Sequence, residues 1–290
     1  MNTLDYEELD EFEWKVPRKQ RQRREISRIK KNAGAEQHVD YFSQIDFDNV
    51  EDYSLFDFFI GEGIISDKGP VLKQGKEACV YRCPGQGDKA SVDVAIKAYK
   101  NIEHRSFQSL SSYLQGRLAE AGISRRDSMH ILSTPSELQA FWVYSEYSVM
   151  ERLYQANIPV PVPYAKSATA LAMEFIYEES GGSTTAPRLR DVQVNGDTKR
   201  IMKEILLDAI ERMLHLNIIH GDLSPYNILV RDNLPVIIDF PQAVDARYNE
   251  RARPMLERDI RSICRHFPDP AMPPDQEASL MAAKLWKRYD

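Results

Sequence analysis

The chain has 290 residues, enough for one two-lobed domain or two small ones with a sizeable core. Its 28% charged and 42% hydrophobic content is that of a soluble globular protein, and a net charge of −6 excludes a global electrostatic drive toward nucleic acid. No run of about 18 apolar residues marks a membrane span, and the three cysteines, Cys79, Cys83 and Cys264, match neither a disulfide framework nor a zinc site.

The first residues, Met1 to Asp5, lack the basic and apolar regions of a signal peptide, so a cytoplasmic location is expected. Residues 1–13 hold six acidic side chains, and residues 15–31 hold nine Lys or Arg. Such blocks read as a solvated tail over residues 1–50, and the basic block as a candidate arm for RNA or an acidic partner. From Tyr53 the pattern becomes globular. Val71–Cys83 and Ser91–Lys100 carry β-branched and apolar residues at strand spacing, with turns at Pro84-Gly85 and Gly87-Asp88. Alternation in the second strand puts Val92, Val94, Ile96 and Ala98 on one face, and Ala95, Lys97 and Tyr99 on the other.

A helix is predicted from Thr134, where Thr134, Pro135 and Glu137 spell a capping box with proline in the first turn. Leu138, Phe141, Trp142, Ser145, Val149 and Leu153 follow at helical spacing until the proline-rich run Ile158–Pro163. An apolar strand, Ala170–Ile176, leads into a Gly/Ser/Thr-rich loop, Glu178–Ala186. Helical spacing returns over 198–216 and over Pro254–Phe267. Between them, Ile228–Val230 and Val236–Ile238 read as short strands joined by a turn at Arg231–Leu234. A β-rich part with one helix, a connecting strand and a mostly helical part predict an α+β, two-lobed architecture with a ligand cleft between the lobes.

The strongest chemical signal is His220-Gly221-Asp222-Leu223-Ser224-Pro225-Tyr226-Asn227, followed by Val236-Ile237-Ile238-Asp239. Phosphoryl transfer needs a base at the attacking hydroxyl and metal ions on the phosphates. Asp222, on a loop after a helix, suits the base. Asn227, five residues on, and Asp239, returned by the hairpin, offer the hard oxygen ligands that Mg²⁺ prefers. Lys97 points away from the apolar row and needs a buried partner. Glu146, on the edge of the helical stripe, is the expected one, ahead of Glu137 and Glu151. The turn Gly75-Lys76-Glu77-Ala78-Cys79-Val80-Tyr81 can face backbone N–H groups toward phosphate. Met173-Glu174-Phe175-Ile176 would link the lobes and bind adenine, with Met173 lining the pocket.

These motifs resemble the RIO kinases, most closely the RIO1 branch, over roughly residues 70–267. Gly75–Tyr81 (GKEACVY) is similar to a GKEA-x-VY phosphate loop, and Ala95–Lys100 (AIKAYK) to an AVK-x-YK strand. Glu146 and Asn157–Pro161 occupy the places of an E-K-E helix motif and a G-IP-x-P stretch. Met173–Ile176 matches MEFI, Ala186–Asp191 (APRLRD) resembles APRLKD, and His220–Asn227 (HGDLSPYN) resembles HADLSEYN. The resemblance implies a trimmed protein-kinase-like domain over 51–290, with an N-lobe to about 172, a hinge over about 173–177 and a C-lobe beyond. It also implies ATP with Mg²⁺ (or Mn²⁺), serine phosphorylation of a protein or of the chain itself, a phosphoaspartate at Asp239 in some members, and a ribosomal partner.

There are departures from the family pattern. Pro225 stands where Glu is usual, and Phe240-Pro241 where Val-Ser is usual. Because proline fixes its own φ and pushes the preceding residue toward extended geometry, a loop that flips after Asp239 is not expected. Asp259, on the following helix, is the candidate anchor for the loop backbone around Asp222. The motif also resembles small-molecule phosphotransferases such as aminoglycoside or choline kinases. A nucleotide-binding pseudokinase is the third reading, against which the intact Lys97, Asp222, Asn227 and Asp239 argue.

Overall fold

The computed structural model describes residues 55–100, 118, 123–179 and 182–289. The charged segment 1–50 lies outside the described residues. In chain order the elements are α1 (Leu55–Gly61), β1 (Val71–Gln74), β2 (Ala78–Pro84), β3 (Asp93–Tyr99), α2 (Arg125–Ser133), α3 (Pro135–Gln155), β4 (Pro163–Lys166) and β5 (Ala170–Glu174). Then follow α4 (Gly196–His215), β6 (Ile218–Ile219), β7 (Ile228–Arg231), β8 (Leu234–Ile237), β9 (Val244–Asp245), α5 (Ala252–His266) and α6 (Pro274–Tyr289). The first five strands form an antiparallel sheet in the order β1-β2-β3-β5-β4.

The period-2 alternation of β3 divides two cores. Val94 and Ile96 are fully buried with Phe56 and Phe59 of α1 on one side. On the other side Tyr99 joins α3 and the large helical core, and Lys97 is buried beside it. Register sets Lys97 opposite Val80 on β2 and Leu171 on β5, so the lysine rises from the middle of the sheet. Below, α4, α5 and α6 bury Met202, Leu206, Ile260, Ile263 and Ala278 around the β6–β9 and β7–β8 pairs. The β7–β8 hairpin turns through Asp232 and Asn233, both with positive φ (51° and 61°), as a two-residue primed turn requires. Both residue types tolerate the left-handed region.

Two expectations need correction, and three helices are new. Val71–Cys83 is two strands, because the chain reverses at Gly75–Glu77. The capping box at Thr134 does not form. Thr134 closes α2, its N–H already bonded to His130 O at 3.0 Å, so no free donor waits for Glu137. Glu137 instead lies 3.2 Å from His130 Nε2. The helix α3 still begins where the proline predicted, at Pro135. Finally, α1, α2 and α6 had no counterpart in the sequence reading. The three thiols are free, and among the described residues no helix is long and apolar enough to cross a membrane.

Candidate active site

Lys97 lies at the centre of the site. Its Nζ is 2.7 Å from Glu146 Oε1 and 2.6 Å from Asp239 Oδ1. The expected Lys97–Glu146 pair is therefore present, and its rival Glu137 is engaged elsewhere. Burial acts to lower the Lys97 ammonium pKa, but the Glu146 and Asp239 carboxylates outweigh it and hold the group well above its usual value. Burial likewise acts to raise Asp239, yet the Lys97 ammonium holds that carboxyl below its ordinary value.

Glu146 has two further partners that the sequence reading missed. The Tyr99 hydroxyl donates to Oε2, and the Phe240 N–H donates to Oε1 at 3.2 Å. The alternation already placed Tyr99 on the Lys97 face, and that was the available signal. One buried carboxylate thus joins β3, α3 and the segment after β8.

The loop His220–Asn227 is held from below. Asp259 of α5 accepts from Gly221 N and Leu223 N, and the Arg258 guanidinium donates to Gly221 O. The expected anchoring role of Asp259 is thus seen directly. Burial pushes the Asp259 carboxyl up to about 7, against the pull of its two N–H donors. His220 is fully buried. Its Nδ1 accepts from Asp222 N at 3.3 Å, and its Nε2 lies 3.2 Å from Ile238 O, an arrangement that suits the neutral ring with the proton on Nε2. Burial lowers the His220 pKa.

Asp222 is exposed at the rim of the cleft. Asn227 Nδ2 donates to Asp222 O at 2.9 Å and to Asp222 Oδ2 at 3.3 Å, which leaves the amide oxygen for a cation. The hairpin returns Ile238 to Asn227, N–H to carbonyl at 2.9 Å, and so sets Asp239 next to Asn227. Asp239 itself has φ +72°. Phe240 is almost wholly buried with its ring 5.1 Å from that of His220.

A cavity of about 580 Å³ opens between the sheet and the helical part. Gly75, Lys76, Glu77, Val80, Lys97, Glu146, Met173, Ile176, Asn227 and Asp239 all line it, and Asp222 stands just outside. Gly75 N donates to Ala78 O at 2.8 Å, closing the turn whose residues cover one end. Burial, then the Asp239 charge, raises the Glu77 carboxyl pKa. The other end is apolar, with Ala95, Met173, Phe175 and Leu229. Glu174 is clasped by Arg231 of β7 and accepts from Val162 N at 3.2 Å, tying the end of β5 to the hairpin.

The RIO domain family profile matches residues 79–278. The chain belongs to the RIO family. Its RIO domain is 30% identical over 210 residues to a RIO-type serine/threonine-protein kinase Rio1 of Haloferax volcanii, covering 72% of this chain and 66% of that protein. It is 30% identical to a serine/threonine-protein kinase RIO1 of Chaetomium thermophilum, covering 70% of this chain and 40% of that protein. The matched region therefore spans only part of these relatives. The fold is similar to that of a Rio2 kinase from Chaetomium thermophilum, solved as an ADP/Mg²⁺-phosphoaspartate complex, with a TM-score of 0.54, 21% identity and coverage of 78% of this chain and 64% of that one. Pro225, which departs from the family pattern, accepts at its carbonyl from Arg190 N at 3.1 Å.

Proposed function

We propose that the chain is an ATP- and Mg²⁺-dependent serine/threonine protein kinase of Rio1 type, acting on a protein hydroxyl or on itself. The observation that carries this is the contact of Lys97 Nζ with both Glu146 and Asp239, next to the Asp222–Asn227 pair at one cleft. The kinase names of its relatives support the same reading.

In this reading the turn Gly75-Lys76-Glu77 with Val80 covers the nucleotide, and the backbone of Met173–Ile176 meets adenine. Lys97, oriented by Glu146, meets the phosphates. Asn227 and Asp239 would hold Mg²⁺. Among the described residues no cluster of three or more His, Cys, Asp or Glu is placed for a metal. An amide and a carboxylate completed by phosphate oxygens and water are the usual surroundings of Mg²⁺, so the residues fit. When bound, the ion neutralises charge on the phosphates.

Asp222 accepts the proton of the acceptor hydroxyl as its oxygen bonds to the γ-phosphorus and ADP departs, a contribution of about 10²–10⁴-fold. The Rio2 structure holds a phosphoaspartate, and we extend that chemistry to Asp239 as an alternative acceptor. The basic segment 15–31 is the proposed contact for a ribosomal or RNA partner.

Incubation with γ-labelled ATP and Mg²⁺, followed by site mapping, tests the reading. Label on serine or threonine is expected, with Asp222→Ala binding ATP but losing transfer to hydroxyl, and Asp239→Ala losing metal-dependent nucleotide binding. Full transfer by Asp222→Ala would remove the proposed base. Hydroxylamine-labile label on Asp239 would mark the acyl phosphate.

A further inference from the structure

Lys100 stands just beyond β3 and takes no part in the machinery above. Its side chain is exposed and is not among those lining the cavity. It nevertheless grips the turn that covers one end of the cleft. Lys100 Nζ donates to Gly75 O at 2.8 Å, and Lys100 N donates to Glu77 O at 2.9 Å. One residue thus holds the turn Gly75-Lys76-Glu77 at both ends.

In a planar trans peptide the C=O and the following N–H point to opposite sides. Holding Gly75 O toward Lys100 therefore turns the Lys76 N–H away from Lys100. That is the side on which Gly75, Lys76, Glu77 and Ala78 line the cavity. Among the described residues, the N–H groups of Lys76 and Glu77 donate to no protein acceptor. Backbone N–H groups left open in a tight turn are ready donors to phosphate oxygens. Glycine has the freest backbone of any residue, so Gly75 does not fix this orientation by itself. The ammonium on its carbonyl does.

We propose that Lys100 is a positioning residue for the nucleotide phosphates: it holds the Gly75–Lys76 peptide with its N–H facing the cleft, so that the turn donates to phosphate oxygen. This rests on the kinase reading and adds a residue to it. Lys100 acts through the turn and touches no substrate atom. Its effect belongs to the phosphate end of the cleft, because other residues (Ala95, Met173, Phe175 and Leu229) build the apolar end.

The test is titration calorimetry of the full chain with the β,γ-imido analogue of ATP and with adenosine, in Mg²⁺, for the unmodified protein, Lys100→Met and Lys100→Arg. Lys100→Met is expected to weaken the triphosphate analogue about fivefold, the weight of one hydrogen bond. Adenosine affinity and the melting temperature should not change. Lys100→Arg, which can still donate to the Gly75 carbonyl, should recover most of the loss. The loss in Lys100→Met should persist at about 1 M salt, where the screening length falls to about 3 Å and a distant charge no longer counts.

Triphosphate affinity of Lys100→Met within about twofold of the unmodified protein overturns the positioning role and leaves the kinase reading standing. An equal loss for adenosine overturns it too, since that would mean a change of pocket shape. So does a loss that disappears at high salt, which would make Lys100 a diffuse charge. If the unmodified chain binds no triphosphate, the kinase reading fails and the role of Lys100 fails with it.

Discussion

The Asp259 carboxylate lies 2.8 Å from Gly221 N, and its second oxygen lies 3.1 Å from Leu223 N. A residue of α5 thus holds the backbone on both sides of Asp222. Asp259→Asn keeps one acceptor and turns an N–H donor toward the other backbone N–H. A buried unsatisfied group costs about 1–3 kcal/mol. We expect a lower melting temperature and a fall in kcat for phosphotransfer with little change in KM for ATP. A change confined to KM would contradict the assignment.

Gly221 has φ +80°, and a Cβ there would sit 2.5 Å from Gln242 O. Gly221→Ala, which restores the residue of the family pattern, is therefore expected to destabilise. The left-handed conformation alone costs about 1–2 kcal/mol for a residue with a side chain. Chemical denaturation would show a lower midpoint with an unchanged slope. An unchanged midpoint would mean that the backbone can relax.

Tyr99→Phe removes a donor from Glu146 while keeping the ring that packs 5.7 Å from Trp142. The expected cost is about 1–3 kcal/mol, from the carboxylate oxygen left without a partner. Nucleotide affinity should also fall, because Glu146 is what orients Lys97. Equal affinity for an ATP analogue in variant and parent would show that Lys97 alone fixes Glu146.

His220 gives a pH dependence with a definite sign. Burial lowers its pKa, and the nearby Asp239 and Asp222 charges only partly oppose this. The unfolded chain therefore takes up the proton first as the pH falls through the ordinary histidine value of about 6.5. Stability from the neutral ring is present above that value and is lost below it. Melting temperature measured from pH 7.5 to 5 should fall for the parent more than for His220→Asn. Parallel curves would show that His220 does not contribute.

Much of this site was legible because its chemistry demands particular residues at fixed separations. Asp222, Asn227 and Asp239 sit on one loop and one hairpin, whose geometry local sequence dictates. The side of β3 that carries Lys97 followed from alternation alone. The missed features are those set by distant packing. Phe240 N–H reaches Glu146 across 94 positions of sequence, and no local pattern encodes that. The failed capping box at Thr134 has the same origin, since the preceding helix had already taken the N–H. Helix α6 had its signal in the sequence, since Ala278, Ala282, Leu285 and Tyr289 recur at helical spacing and are buried.

Glu146 joins Lys97, Tyr99 and Phe240 through a single carboxylate. Substitutions at Glu146, Lys97 and Tyr99 should not add independently, because the first removes the reason for the others, whereas Phe240 takes part through its backbone N–H. A lineage that abandoned phosphotransfer would be expected to lose the three side chains together, whereas one that kept it could replace any of them only with a simultaneous change elsewhere in the set.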